Sequence, residues 1–195
     1  MVDKIEIIKN YARKCYDDAN CEYGGQSYFL HINMVRNNVH KYSAVFKNIR
    51  DAYNTQAASY THDLMEDAKQ TYNNICDVCG KDVADITLAV TDVPAENRLM
   101  KHLLTMGKTV KDYRAIILKM HDMLANASYS KSEGSSMYKK YVNEYAYRKP
   151  IFQMALVWYK DSLNQDVLEE LWKELDEVHD ITTAKDSLEF NFSGL

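Results

Sequence analysis

The chain has 195 residues, 46% of them hydrophobic and 27% charged, which is enough apolar material for one globular core. A net charge of −4 argues against a broad nucleic-acid surface, so no duplex partner is expected. No apolar run reaches the roughly 20 residues that span a bilayer. The charged start Met1-Val2-Asp3-Lys4 lacks the apolar stretch of a secretion signal, so no membrane partner and a cytoplasmic location are expected.

Only six Gly and two Pro punctuate the chain, and no stretch alternates cleanly between apolar and polar residues. The expected fold class is therefore all-α: one compact helical bundle over 1–180, with a loose tail over 181–195. Residues 3–19 carry Ile5, Ile8, Tyr11, Ala12 and Cys15 at helical spacing, one apolar face. Gly24-Gly25 marks a loop between Glu22 and Gln26. Helices are expected from Tyr28 to Val39 and from Thr55 to Asp67. Thr71 is a good N-cap for a short helix that stops at Gly80. Another helix covers 81–90, and Pro94 breaks the chain. Lys111 to Asn126 reads as strongly helical, Lys131 to Ser136 as a loop. Long helices follow from about Tyr138 and over Leu163 to Val178.

Cys76 and Cys79 form a C-x-x-C, but a structural zinc would need a second pair at close spacing. Cys15 and Cys21 do not supply it, so all four are expected to be free, partly buried thiols.

The chemistry centres on His62-Asp63-Leu64-Met65-Glu66-Asp67. On a helix, residues four apart share a side, which sets His62 above Glu66 and Asp63 above Asp67. One imidazole and three carboxylates over little more than a turn repel one another unless water or a cation intervenes. The mixed donor set suits Mn²⁺, and also Fe²⁺ or Zn²⁺. Acidic helix faces are usually just solvated, and the His-Asp dipeptide occurs three times, at 62–63, 121–122 and 179–180. The ion would also need ligands from other helices.

Several stretches together resemble the hydrolase domain of the Rel/Spo family, which removes pyrophosphate from guanosine alarmones. Gly25-Gln26-Ser27-Tyr28-Phe29-Leu30-His31 is similar to the family's G-x-P-Y-x-x-H, and 62–67 to its H-D-x-x-E-D. Thr71 to Val83 with Cys79-Gly80, Val90-Thr91-Asp92, Ala95-Glu96-Asn97 and Leu103-Leu104-Thr105-Met106 fall in family order. Arg114 to Asn126, RAIILKMHDMLAN, resembles R-V-I-L-I-K-L-A-D-R-L-H-N. The likeness covers roughly residues 11–145. It implies an HD-domain helical bundle with one divalent ion, Mn²⁺ first, on His31, His62, Asp63 and Asp122. It also implies a small nucleotide substrate. With no room for a synthetase domain, the chain is similar to the small stand-alone alarmone hydrolases.

Glu66 is the expected general base, with Asp67 sharing that work or holding a ligand in place. Lys119 and Asn126 flank Asp122 on its helix, Lys119 toward phosphate and Asn126 toward the nucleotide. Arg98, Lys101, Lys108 and Lys111 are further candidates for phosphate. Tyr138, Tyr141 and Tyr145 share a face that either stacks a base or packs a helix, with Tyr145 placed nearest the nucleotide. The departures fall on the substrate side. The family's basic loop is replaced by Cys21-Glu22-Tyr23-Gly24-Gly25, Ser27 and Ile32 stand where proline is usual, and His121 replaces an alanine. Three functions follow: an alarmone 3′-pyrophosphohydrolase, a phosphohydrolase of another nucleotide, or an inactive scaffold that binds a partner.

Overall fold

The computed structural model describes residues 4–181, so the expected tail, apart from Ile181, lies outside the described residues. Helix α1 (Lys4–Asp18) buries Ile8, Ala12 and Tyr16 along one stripe. A two-stranded antiparallel hairpin follows, β1 (Glu22–Tyr23) paired with β2 (Gln26–Ser27) in the register Glu22↔Ser27 and Tyr23↔Gln26. Its turn is Gly24-Gly25, both at positive φ, the conformation a tight two-residue hairpin demands. Gly24 also lies against the Tyr129 hydroxyl so closely that a β-carbon would clash with it. The loop expected here is thus a fixed hairpin.

Helices α2 (Phe29–Lys41) and α3 (Ile49–Thr61) come next, the latter capped by the Asn48 side chain on the Arg50 amide. The expected helix from Thr55 to Asp67 is corrected at both ends. It begins earlier, at its Asn48 cap, and it stops at Thr61. Beyond it the Leu64 amide donates to the Thr61 carbonyl, and the Glu66 and Asp67 amides both donate to the Asp63 carbonyl, closing a compact turn over 62–67. Thr71 and Gly80 bound α4 (Tyr72–Cys79) as expected, with a full capping box between Thr71 and Asn74. Helix α5 (Lys81–Val90) matches its expected span. Helix α6 (Arg98–Thr109), capped by Asn97, was not anticipated.

The longest helices are α7 (Tyr113–Ser132) and α8 (Met137–Leu156), followed by α9 (Gln165–Val178). Helix α7 runs past the expected loop start at Lys131. It is buried nearly all round, which marks a central helix. Ala115, Leu118 and Ala125 join an apolar cluster with α1 to α5. Ile116, Ile117, Met120, Met123 and Leu124 join a second cluster with α8 and α9. Asp122 therefore emerges where the two clusters meet. Among the described residues the architecture is a bundle of α-helices with one short hairpin. Among the described residues no helix is long and apolar enough to cross a membrane. The four cysteines are free thiols, Cys79 buried and the others half-buried.

Candidate metal centre and cleft

Four side chains from four segments converge. His31 comes from α2, His62 from the end of α3, Asp63 from the turn and Asp122 from α7. The His31 Nε2 lies 3.2 Å from the His62 Nε2, 3.4 Å from the Asp63 Oδ2 and 3.3 Å from the Asp122 Oδ1. The His62 Nε2 lies 3.0 Å from the Asp63 Oδ2 and 3.8 Å from the Asp122 Oδ1. His62 caps α3 with helical φ and ψ, and Asp63 opens the turn that follows.

His62 Nδ1 is 2.9 Å from the Ser59 carbonyl, which accepts only from a protonated Nδ1. Its Nε2 is left facing the cluster. Burial opposes charge on His62, but Asp63 and Asp122 outweigh it and raise its pKa to about 10. His31 is raised in the same way, against its burial, by Asp122 and Asp63. Both carboxyls are pushed down despite burial, Asp63 by His62 and His31, Asp122 by Lys119 and the two imidazoles. Two buried Nε2 atoms 3.2 Å apart cannot both carry protons toward each other without repulsion. A divalent ion held by both imidazoles and both carboxylates would remove that conflict. Neighbouring ligands on an ion with bonds of about 2.1 Å sit about 3 Å apart, the spacing found for most of these pairs. His31, His62 and Asp63 on their own form a group able to hold a metal ion, and the donor set fits one.

Around this cluster lies a shell that orients it. The Tyr28 hydroxyl sits between the Asp63 Oδ2 (2.7 Å) and the Asp67 Oδ2 (2.5 Å), with one proton to donate. The Lys119 ammonium is 2.8 Å from the Asp122 Oδ2. Asn126 donates from Nδ2 to the Asp122 Oδ1 at 2.6 Å, and its Oδ1 accepts the Tyr23 hydroxyl at 2.9 Å. The Tyr23 ring stacks on His31, with centroids 4.8 Å apart, so the hairpin covers one side of the cluster. Tyr28 and Tyr23 were not singled out from the sequence. Tyr28 stands three residues before His31 inside the matched motif, where a search for hydroxyls would have found it.

Glu66 accepts the Asp92 amide at 2.8 Å. Burial, reinforced by Asp63, raises its pKa to about 7 although Lys119 and the Asp92 amide oppose. Asp67 is also raised, mainly by burial. A cleft of about 170 Å³ is lined by Tyr28, His31, Asp63, Glu66, Asp67, Asp92, Arg98, His102, Lys119, Asp122, Asn126, Tyr141, Glu144 and Arg148. It brings together the expected Arg98, Lys119 and Asn126. Lys101 is paired to Asp92 at 2.7 Å, and Lys108 to the Leu88 carbonyl at 2.7 Å. Lys111 is not among the lining side chains.

The tyrosine face needs correction. Tyr145 is fully buried, stacked on His179 at 4.1 Å and donating to Asp176 at 2.6 Å; it does not line this cleft but borders a small cavity beside it with Asp122, Asn126, Tyr141, Glu144 and Arg148. Tyr138 donates to the Val178 carbonyl at 2.6 Å. The α8 face that meets the cleft is Tyr141, Glu144 and Arg148, spaced by three and four like the expected one but rotated. Sequence spacing alone cannot select between two such faces.

In sequence the chain matches no family model and no curated protein. In structure it is similar to a solved metazoan ortholog of SpoT that hydrolyzes ppGpp and plays a role in starvation responses. That likeness has a TM-score of 0.68 at 16% identity and covers 93% of this chain and 96% of that one.

Proposed function

We propose that the chain is a metal-dependent phosphohydrolase that removes the 3′-pyrophosphate of a guanosine alarmone, with one Mn²⁺ on His31, His62, Asp63 and Asp122. The observation that carries this is the convergence of two imidazoles and two carboxylates beside a second pair of acids, in one cleft with Lys119 and Arg98. The likeness in fold to the ppGpp-hydrolyzing ortholog supports the same reading.

When bound, the ion supplies Lewis acidity and makes nearby water more acidic. The remaining work falls to this chain's own groups. Glu66, with a pKa about 7, is matched to taking a proton from the attacking water near neutrality. Water adds to phosphorus, the bond to the 3′-oxygen breaks, and the departing 3′-oxygen recovers a proton as pyrophosphate leaves. Lys119 offsets phosphate charge while it steadies Asp122. Asp67, through the Tyr28 hydroxyl, orients Asp63.

One observation favours a second reading, a different nucleotide substrate. The hairpin presents Glu22 and Tyr23 where the resembled family has basic residues, so it adds no cation for a polyphosphate. The two readings separate when the full chain with Mn²⁺ is offered the tetraphosphate alarmone, ATP, GTP and the corresponding monophosphates. Pyrophosphate release from the alarmone well above all others is expected. Faster turnover of an ordinary nucleotide with the alarmone untouched would leave the second reading.

A further inference from the structure

We propose that Lys101 and Thr105 of α6 are positioning residues for the general base: they clasp the Asp92-Val93 backbone so that the Asp92 amide holds the Glu66 carboxylate in the cleft. This rests on reading Glu66 as the base and gives α6 a part in that site.

The connection between α5 and α6 leads to it. Residues 91–97 lie in no helix or strand, so the backbone there is fixed by what it meets. Two consecutive amides are taken by side chains from different parts of the fold. The Asp92 amide donates to the Glu66 Oε1 at 2.8 Å, and the Val93 amide donates to the Thr105 Oγ1 at 2.9 Å. Thr105 is buried, and its hydroxyl donates to the Lys101 carbonyl, one turn back, at 2.8 Å. Its approach to the Asp92 Oδ1, at 3.4 Å, is the longer one. With its one proton spent on the carbonyl, Thr105 has lone pairs left for the Val93 amide. The Asp92 side chain is held separately, its Oδ2 2.7 Å from the Lys101 Nζ. Burial opposes charge on Asp92, but Lys101 and Lys119 keep it below the usual carboxylate range, so it meets Lys101 ionised.

The clasp has a firm base. Further along the same side of α6, the Lys108 ammonium donates to the Leu88 carbonyl at 2.7 Å and the Thr109 hydroxyl to the Ala89 carbonyl at 2.8 Å. These bonds tie α6 to the last turn of α5, so the Asp92-Val93 backbone is gripped from a helix that cannot slide away from it. The consequence falls on Glu66. An amide from a fixed backbone bonds its Oε1 and limits rotation of the carboxylate, which leaves Oε2 to receive a proton from water. A base must lie within hydrogen-bond reach of the proton it takes, and a displacement of about 1 Å can cost on the order of 10²-fold in rate. Lys101, expected from the sequence to meet phosphate, spends its charge on Asp92 instead.

The test is steady-state kinetics of the full chain with Mn²⁺, on whichever of the alarmone, ATP, GTP and the monophosphates it turns over fastest. Thr105→Val keeps the shape of the side chain and removes the acceptor. It should lower kcat about ten- to a hundredfold, the scale of a misplaced group, with KM and bound Mn²⁺ unchanged. Thr105→Ser, which restores the hydroxyl, should restore kcat. Lys101→Gln should lower kcat in the same way by a smaller factor; a raised KM at unchanged kcat would set Lys101 on phosphate and overturn the clasp. The decisive arm is a double-mutant cycle. In the Glu66→Gln background, Thr105→Val should cost nothing more, because the clasp acts through that carboxylate. An equal loss in both backgrounds would overturn the proposal, as would Thr105→Val with unaltered kcat. Should Thr105→Val not fold, Lys101→Gln, whose side chain is 35% exposed, decides by the same cycle. The failure of the base reading is seen separately: near-normal turnover in Glu66→Gln alone retracts that reading and this one with it. A chain that turns over none of the nucleotides overturns both.

Discussion

The same dipeptide, His-Asp, occurs at 62–63 and at 121–122, and the two do different things. At 62–63 both side chains face the cluster of imidazoles and carboxylates, His62 from the C-cap of α3 and Asp63 from the turn after it. At 121–122 the dipeptide sits within α7, and helical geometry sends its members apart. Asp122 joins the cluster, whereas His121 lies fully buried near the Tyr42 ring, with neither ring nitrogen hydrogen-bonded. The dipeptide by itself thus does not mark the cluster; its place in the fold does. The third copy makes the point again: His179 stacks on Tyr145, and Asp180 pairs with Lys131 at 2.6 Å.

The hardest test of this contrast removes one member of each pair. His62→Ala should reduce bound Mn²⁺ from about one ion per chain toward none. Activity should fall by more than 10²-fold, since losing even a group behind a ligand costs about 10- to 100-fold. Elemental analysis after loading and desalting, beside an activity assay, reads both. His121→Leu should leave the ion bound. Equal metal loss in the two variants would sink the assignment of roles.

The next test concerns what the turn brings with it. Glu66 follows Asp63 closely enough to share the cleft, so Glu66→Gln should keep the metal and lose about 10²-fold in rate. The sign of its pH effect follows from its role. A base works only when deprotonated, so activity should rise as pH climbs through about 7, and the variant should lack that limb. A rate–pH profile of each protein decides it. An unchanged acid limb in Glu66→Gln would assign the ionisation to another group.

The smallest effect is on stability. His121 is buried with both ring nitrogens unpaired, so His121→Leu should stabilise the fold by about 1 kcal/mol, seen as a higher thermal midpoint. A clear fall would mean that the imidazole holds an acceptor or a water there.

Much of the site could be read from the chain because it resides in residue types and order. Helices α1, α4, α5, α7 and α9 follow from apolar spacing and capping residues, which are local signals. His31, His62, Asp63 and Asp122 stood out through the resemblance of their surrounding motifs to the Rel/Spo hydrolase domain. What lay beyond reach was direction. The end of α3 at Thr61 depends on amides that turn back to the Thr61 and Asp63 carbonyls, and no residue in 62–67 is a helix breaker. Helix α6 passed unnoticed between Pro94 and Lys111.

By itself, then, the sequence determined an all-α chain, since that rests on composition and periodicity, whereas the set His31, His62, Asp63 and Asp122 followed only from the resemblance to a known family. Only the tertiary structure decided that Tyr145 packs against His179 while Tyr141, Glu144 and Arg148 meet the cleft, and that Tyr23 lies over His31. The reason is physical. Helical spacing fixes which residues share a face, but the rotation of α8 about its axis is set by packing against α7 and α9, and that packing belongs to the whole fold.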